Sequence, residues 1–130
     1  MSEIRGQIHH KFKAFSGKLS ADHSLGDLAG TVATWVREAR VAPKSIGVEY
    51  VESADRLVLT VGYRDDEPAY EVELRTVPVG KIEGLAGADL TELEQAMAKA
   101  GSDIERIICH ELYVTSDNEF FMVFMAHKPA

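Results

Sequence analysis

The clearest hydrophobic pattern in the chain is helical and lies between residues 24 and 39. Apolar side chains recur there three and four residues apart, which places them on one face of a helix. Ser24, followed three residues later by Asp27, resembles a capping box in which aspartate replaces the usual glutamate. The pattern therefore predicts an amphipathic helix that begins near Ser24 and ends before Pro43.

The middle of the chain, residues 45–77, alternates apolar and polar side chains, which is the period of β-strands. A turn at residues 52–55 pairs Val48 with Leu59, and a second turn pairs Leu59 with Val72. A single register then puts the apolar side chains on a common face. The segment predicts a three-stranded antiparallel meander with one buried face and one face in water.

A second helix and a hairpin are predicted in the C-terminal third. Asp89 and Glu92 form a capping box before a helical stripe that ends at Gly101. Residues 104–115 and 120–127 then predict two strands joined at Asp117 and Asn118.

The last of these strands is apolar on both faces, which suits a strand covered on both sides. Two explanations stay open. The strand is central in a sheet with helices on one side, or its second face is a subunit interface formed by Phe121, Val123 and Met125.

These elements predict one α+β domain over residues 1–130, without repeats or linkers. Its largely antiparallel five-stranded sheet combines the meander and the C-terminal hairpin, with two or three helices packed on one face. The uncertain helix is residues 4–15, because Ile4, Ile8, Phe12 and Phe15 recur at helical spacing while the alternation within the segment leaves a strand possible. We favour the helix.

Without that first segment, the order helix, three strands, helix, two strands is similar to that of the small acidic dimeric chaperones of type III secretion. The likeness concerns topology alone and includes no shared motif. It implies a protein that dimerises and binds other proteins.

Composition and charge narrow the function classes. The chain has 45% hydrophobic and 27% charged residues and a net charge of −7, so it lacks the positive charge that nucleic-acid binding requires. The longest strongly apolar stretch, residues 120–126, is too short to cross a membrane. A single cysteine and the lack of a signal-peptide pattern at the start favour a cytoplasmic protein. The N-terminal segment is locally basic, which indicates a solvated helix face or, less readily, an interaction arm.

Two histidines are the strongest candidates for a metal site. The predicted hairpin register puts His110 and His127 on one face as diagonal neighbours roughly 7 Å apart. A third ligand is not dictated by any spacing. Cys109 and Glu111 flank His110 but point to the opposite face of a strand, so these three consecutive residues cannot converge on one atom.

Aromatic residues supply a second candidate site. Tyr50, Tyr63 and Tyr70 lie on the apolar face of the predicted meander, and Trp35 lies on the helix expected to cover it. They form either a small ligand pocket or core aromatics with polar tips at the edge, and we favour the core.

No catalytic or cofactor motif is present in the sequence. We therefore expect a non-catalytic, homodimeric module that binds a protein or a ligand and needs no cofactor. The alternative is a small enzyme or metalloprotein that uses His110 and His127 beside the tyrosine-lined pocket.

Overall fold

The computed structural model describes residues 10–18, 24–81, 90–115 and 119–129. The elements within these ranges are, in chain order, β1 (His10–Lys18), α1 (Ser24–Ala39), β2 (Ala42–Val51), β3 (Arg56–Arg64), β4 (Val72–Lys81), α2 (Thr91–Ala100), β5 (Ile107–Val114) and β6 (Glu119–His127). The protein is thus α+β, as the sequence predicts. None of the helices in the described ranges is long and apolar enough to cross a membrane.

The strands form two antiparallel three-stranded sheets, and the prediction of one five-stranded sheet is wrong. The N-terminal sheet has the order β1-β3-β2, and the C-terminal sheet has the order β4-β6-β5. β2 and β5 are edge strands of different sheets and lie next to each other. The two sheets therefore meet along this pair of edges.

The register predicted for β2 and β3 is confirmed. Val48 lies opposite Leu59 and Tyr50 lies opposite Leu57. The connection is a short 3-10 turn over Glu52–Ala54, after which Asp55 takes a left-handed conformation with φ of 49°. A tight turn fixes the register because few residues separate the two strands.

The predicted place of β4 is wrong. Val72 pairs with His127 of β6 and not with Leu59, and the side of β3 assigned to β4 is occupied by β1, where Phe15 lies opposite Leu59. β4 also continues to Lys81 through an irregularity between Pro78 and Gly80, beyond residue 77, where the predicted meander ends.

The first element is also different from the prediction. From His10 onward the chain is strand β1, so the helix expected over residues 4–15 is wrong for residues 10–15; residues 4–9 lie outside the described ranges. Helix α1 spans Ser24–Ala39 as predicted. Helix α2 ends at Ala100 with Gly101 as its C-cap, also as predicted, whereas the predicted capping residue Asp89 lies outside the described ranges.

The main core lies between α1 and the two sheets. Leu28, Val32 and Val36 of α1 are buried in one cluster that contains residues of both sheets, such as Leu59 and Met125. α1 contacts β1, β3 and β4, so the helix packs across strands of both sheets. This core follows from the three- and four-residue apolar spacing of α1.

The second face of the C-terminal sheet packs under α2. Phe120, Met122 and Phe124 of β6 are buried on this face, and a Cβ added to Gly101 at the end of α2 would lie 3.2 Å from the Phe124 ring. The two described helices therefore lie on opposite faces of the C-terminal sheet, and the prediction that the helices share one face is wrong.

Burial by α1 and α2 explains why β6 is apolar on both faces. Val123 and Met125 are completely buried and Phe121 packs against the same core. Two of the three side chains predicted to form an interface, Val123 and Met125, are thus buried within a single chain, and the third, Phe121, is half-buried.

Candidate functional site

The two histidines of the predicted metal site lie on opposite faces of the C-terminal sheet. His110 pairs with Phe124 and not with Met125, so the predicted hairpin register is wrong by one residue. His127 is three positions beyond Phe124 on β6, and successive strand residues alternate between faces. The structure therefore does not bring His110 and His127 together. Over the described ranges, no group of three His, Cys, Asp or Glu side chains is placed to hold a metal ion.

The aromatic residues of the predicted pocket fall into three separate places. Tyr50 is at the turn end of β2, where its hydroxyl donates to a carboxylate oxygen of Asp55, 3.1 Å away. Tyr70 contacts His127 at the other end of the sheets, with ring centroids 4.6 Å apart. Only Tyr63 and Trp35 are in contact, with centroids 5.0 Å apart. The structure thus does not form one pocket from all four residues.

Trp35 instead joins a small aromatic cluster with two strands of the N-terminal sheet. Phe15 of β1 lies edge-on to Trp35 at 5.8 Å, and Tyr63 of β3 contacts the indole from another side. Such edge-to-face pairs add about 0.5–1.5 kcal/mol beyond the area that they bury. Phe15 is a site residue that the sequence analysis missed, because the segment was predicted to be a helix.

Strand β1 is the most exposed regular element among the described residues. Seven of its nine residues are exposed, and the ring of Phe12 is 72% accessible to solvent. β1 pairs only with β3, so its other edge has no partner strand within the described residues. The free backbone N–H and C=O groups of an edge strand are available to pair with another strand.

The charge of β1 is positive and has no carboxylate to balance it within the strand. Its cations are Lys11, Lys13 and Lys18, with His10 at the start. Lys11 forms an ion pair with Asp65, with 2.7 Å between Nζ and the carboxylate. This hydrogen bond raises the pKa of Lys11 and lowers the pKa of Asp65.

Lys18, unlike Lys11, faces a residue of the same charge, because Arg56 lies across from it on β3. Both side chains belong to exposed residues, and neither forms an ion pair within the described ranges. Like charges directly opposite each other in a sheet are unfavourable. The end of β1 therefore presents an uncompensated positive site.

A groove of about 720 Å³ adjoins the inner side of β1, between Phe15 and helix α1. Its lining from α1 comprises Gly26, Asp27, Gly30, Thr31, Thr34, Trp35 and Glu38. The Thr31 hydroxyl donates to the Asp27 carbonyl at 3.0 Å, so this polar group is already satisfied by the helix. The lining of the groove thus combines aromatic, small and acidic residues.

The single cysteine is poorly suited to nucleophilic chemistry. Cys109 is half-buried on β5, and burial is the main cause that raises the pKa of its thiol to about 11. A hydrogen bond with the backbone of Ile46 acts in the other direction, and Glu111 raises the pKa further. The thiolate is the reactive form of cysteine, so the thiol of Cys109 is unreactive near neutral pH.

The structure therefore assembles its candidate site at β1, the aromatic cluster and the adjoining groove, and leaves the predicted metal pair apart. The sequence signal that could have located it is the alternation of His10, Phe12 and Ala14. No protein-family model, curated protein or solved structure matches the chain.

Proposed function

We propose that this protein is a binding module that accepts an extended, acidic segment of a partner protein as an additional strand beside β1. The observation that carries the proposal is the exposed, basic edge of β1, which has no partner strand among the described residues, in a chain whose net charge is −7. In such strand addition, main-chain hydrogen bonds supply affinity and the alternating side chains supply specificity.

β1 is better suited to this role than β4, the edge strand of the C-terminal sheet that does not lie beside the N-terminal sheet. β1 pairs with β3 in an uninterrupted register over nine residues, from His10 opposite Arg64 to Lys18 opposite Arg56. β4 contains Pro78, and its register shifts between Pro78 and Gly80. Proline and irregularities protect an edge from further pairing. β1 is regular and thus open to an added strand.

The charge of β1 favours an acidic occupant. A carboxylate beside Lys18 would compensate the like-charge pair of Lys18 and Arg56. A second carboxylate would face Lys13, whose ammonium lies 6.0 Å from the Phe15 ring centroid. Opposite charges on neighbouring strands contribute roughly 0.2–1 kcal/mol each. Several such pairs give discrimination between acidic and basic partners.

A second copy of this chain is a poorer occupant. Pairing β1 with β1 would bring two sets of three lysines together, and like charges on neighbouring strands are unfavourable. A second copy could instead offer β1 an acidic surface at another place on the molecule, which would be a head-to-tail contact. Such a contact joins further copies into an open assembly unless the rotation between neighbouring copies closes a ring. We therefore propose that the occupant belongs to a different protein and that the free protein is a monomer.

The proposal is tested with three fluorescein-labelled peptides that match the nine-residue length of β1. The first is a valine peptide with two glutamates five positions apart, which matches the spacing of Lys13 and Lys18 on opposite faces of β1. The second has lysine in place of each glutamate, and the third keeps the glutamates and has proline in place of alternate valines. Proline removes the backbone N–H donors and keeps the charge. We expect fluorescence anisotropy to show binding of the first peptide only, and weaker binding at higher salt.

Charge reversal on β1 supplies the matched variants. The double substitution Lys13→Glu and Lys18→Glu should abolish binding of the glutamate–valine peptide. The control substitutes Lys81→Glu and Lys99→Glu, which makes the same change in net charge at exposed positions away from β1. Equal binding by the two double variants, or equal binding of the proline peptide, would overturn strand addition at β1.

A further inference from the structure

We infer that side chains of the added strand enter the groove between β1 and α1, and that the partner segment therefore carries an apolar residue two positions from an acidic one. This inference rests on the proposed function. It assigns to the groove a preference for an apolar residue of the partner segment, which the charge of β1 alone does not provide.

The spacing follows from the face on which β1 directs its side chains. Phe15 lies opposite Leu59 and Lys13 lies opposite Val61, and both partners on β3 are completely buried. Phe15 and Lys13 therefore share the inner face of the N-terminal sheet, two positions apart. An added strand places one side chain beside each of them, with Cβ atoms about 5 Å away.

The position beside Phe15 is suited to an apolar side chain. The groove next to it is lined by the aromatic ring of Trp35 and by Gly30, and a Cβ added to Gly30 meets no atom within 4 Å. Two acidic residues, Asp27 and Glu38, are also among those that line this groove, so an acidic side chain would meet like charge there. An apolar side chain has room and carries no charge to be repelled.

The position beside Lys13 is suited to a carboxylate. Lys13 is exposed, and among the described residues its ammonium has no carboxylate partner and lies 6.0 Å from the Phe15 ring centroid. A glutamate on the added strand would meet a cation on the same face as the apolar residue. The two preferences together define the pattern of an acidic residue and an apolar residue at i and i+2.

The test compares two further nine-residue fluorescein-labelled peptides built on alternating threonine. One carries phenylalanine and glutamate two positions apart, and the other carries serine in place of phenylalanine. We expect the phenylalanine peptide to bind about tenfold more tightly than the serine peptide. Burial of an aromatic side chain in the groove favours binding by enough to account for a change in affinity of this size. It should also shift the emission of Trp35, the only tryptophan of the chain, whereas the serine peptide should not.

The variant Gly30→Leu fills the groove without removing a contact that holds the fold. Leucine has a higher helix propensity than glycine, and the added side chain starts from open space, so α1 should remain folded. Circular dichroism and the urea midpoint check this. We expect Gly30→Leu to weaken the binding of the phenylalanine peptide about tenfold and to leave the binding of the serine peptide unchanged. The matched control is Ala98→Leu on the exposed side of α2, which should affect neither peptide.

The outcomes separate the inference from the proposed function. If the glutamate–valine peptide binds but phenylalanine and serine peptides bind equally to the wild type, strand addition stands and the groove specificity is overturned. Equal weakening of both peptides by Gly30→Leu would overturn it as well. If none of the acidic peptides binds, the proposed function fails and the inference fails with it.

Discussion

Tyr70 connects the two sheets through its ring and its hydroxyl. The ring lies 4.6 Å from that of His127, between centroids, and the hydroxyl donates a hydrogen bond to the carbonyl oxygen of Pro43. Pro43 belongs to β2 of the N-terminal sheet, and His127 belongs to β6 of the C-terminal sheet. Burial is the main cause that raises the pKa of the Tyr70 hydroxyl, so this group stays protonated and able to donate.

Tyr70→Phe should lower the free energy of unfolding by about 1 kcal/mol, because it removes the donor to a carbonyl of the buried residue Pro43. The matched control is Tyr50→Phe. The Tyr50 hydroxyl bonds only to Asp55 on the exposed turn, so its loss should cost less than about 0.5 kcal/mol. Urea denaturation measures both variants. Equal effects would show that Tyr70 does not hold the sheets together in the way described.

Two glycines give opposite predictions for substitution by alanine. Gly30→Ala should raise the free energy of unfolding by about 0.5–1 kcal/mol, because Gly30 lies within α1 and its Cβ would meet open space. Gly101→Ala should lower it by about 1–3 kcal/mol, because its Cβ would lie 3.2 Å from the ring of Phe124. Urea denaturation compares the two. A stabilising Gly101→Ala would mean that α2 does not pack against Phe124 so closely.

The thiol of Cys109 should react slowly with iodoacetamide at pH 8. Its pKa of about 11 leaves only a small fraction as thiolate. Mass spectrometry follows the alkylation, and the same reaction in urea gives the rate for the unfolded chain. Equal rates in the folded and unfolded protein would contradict the raised pKa.

The same pKa predicts how stability depends on alkaline pH. The folded pKa of about 11 lies above the ordinary value of 9.0, so the folded state favours the protonated thiol. The stabilisation is complete below pH 9 and is lost as the pH rises through about 11, with an upper limit of about 2–3 kcal/mol. Because tyrosines and lysines also titrate there, the quantity to measure is the difference between the wild type and Cys109→Ala. A difference that stays constant from pH 8 to 11 would contradict the prediction.

The sequence predicted the local parts of the fold because their signals lie within short segments. The apolar spacing of α1 and the tight turn between β2 and β3 determine each element from nearby residues. The pairing of β4 is different. Its alternation of Val72, Glu73 and Leu74 buries the same side chains whether the neighbour is β3 or β6, so the pattern does not identify a partner distant in the chain.

The hairpin register and the candidate site were missed for related reasons. β6 is apolar on both faces, so a shift of one residue exposes no charge and the pattern does not select the register. The register set at the hairpin turn, with Val114 opposite Phe120, places His110 opposite Phe124, which removes the predicted contact of His110 with His127. β1 contains so few buried residues that its period was ambiguous, and its role as an open edge depends on a partner strand about 45 residues away.

Met125 distinguishes a core position from the interface predicted by the sequence. It is completely buried within one chain, so Met125→Ala should lower the free energy of unfolding by about 2–5 kcal/mol. The urea midpoint should be the same at low and high protein concentration, because unfolding of a monomer does not depend on mass action. The control is Val114→Ala, an exposed position of β5, which should change the free energy of unfolding by less than about 0.5 kcal/mol.

Native mass spectrometry of the wild type and of Met125→Ala completes this test. We expect both proteins at the 14.3 kDa mass of one chain. A wild-type dimer that dissociates in the Met125→Ala variant, with a urea midpoint that rises with protein concentration, would restore the predicted interface. A dimer that persists in this variant and dissociates on reversal of Lys13 and Lys18 would instead place self-association at β1, and the proposal of a different partner protein would fail.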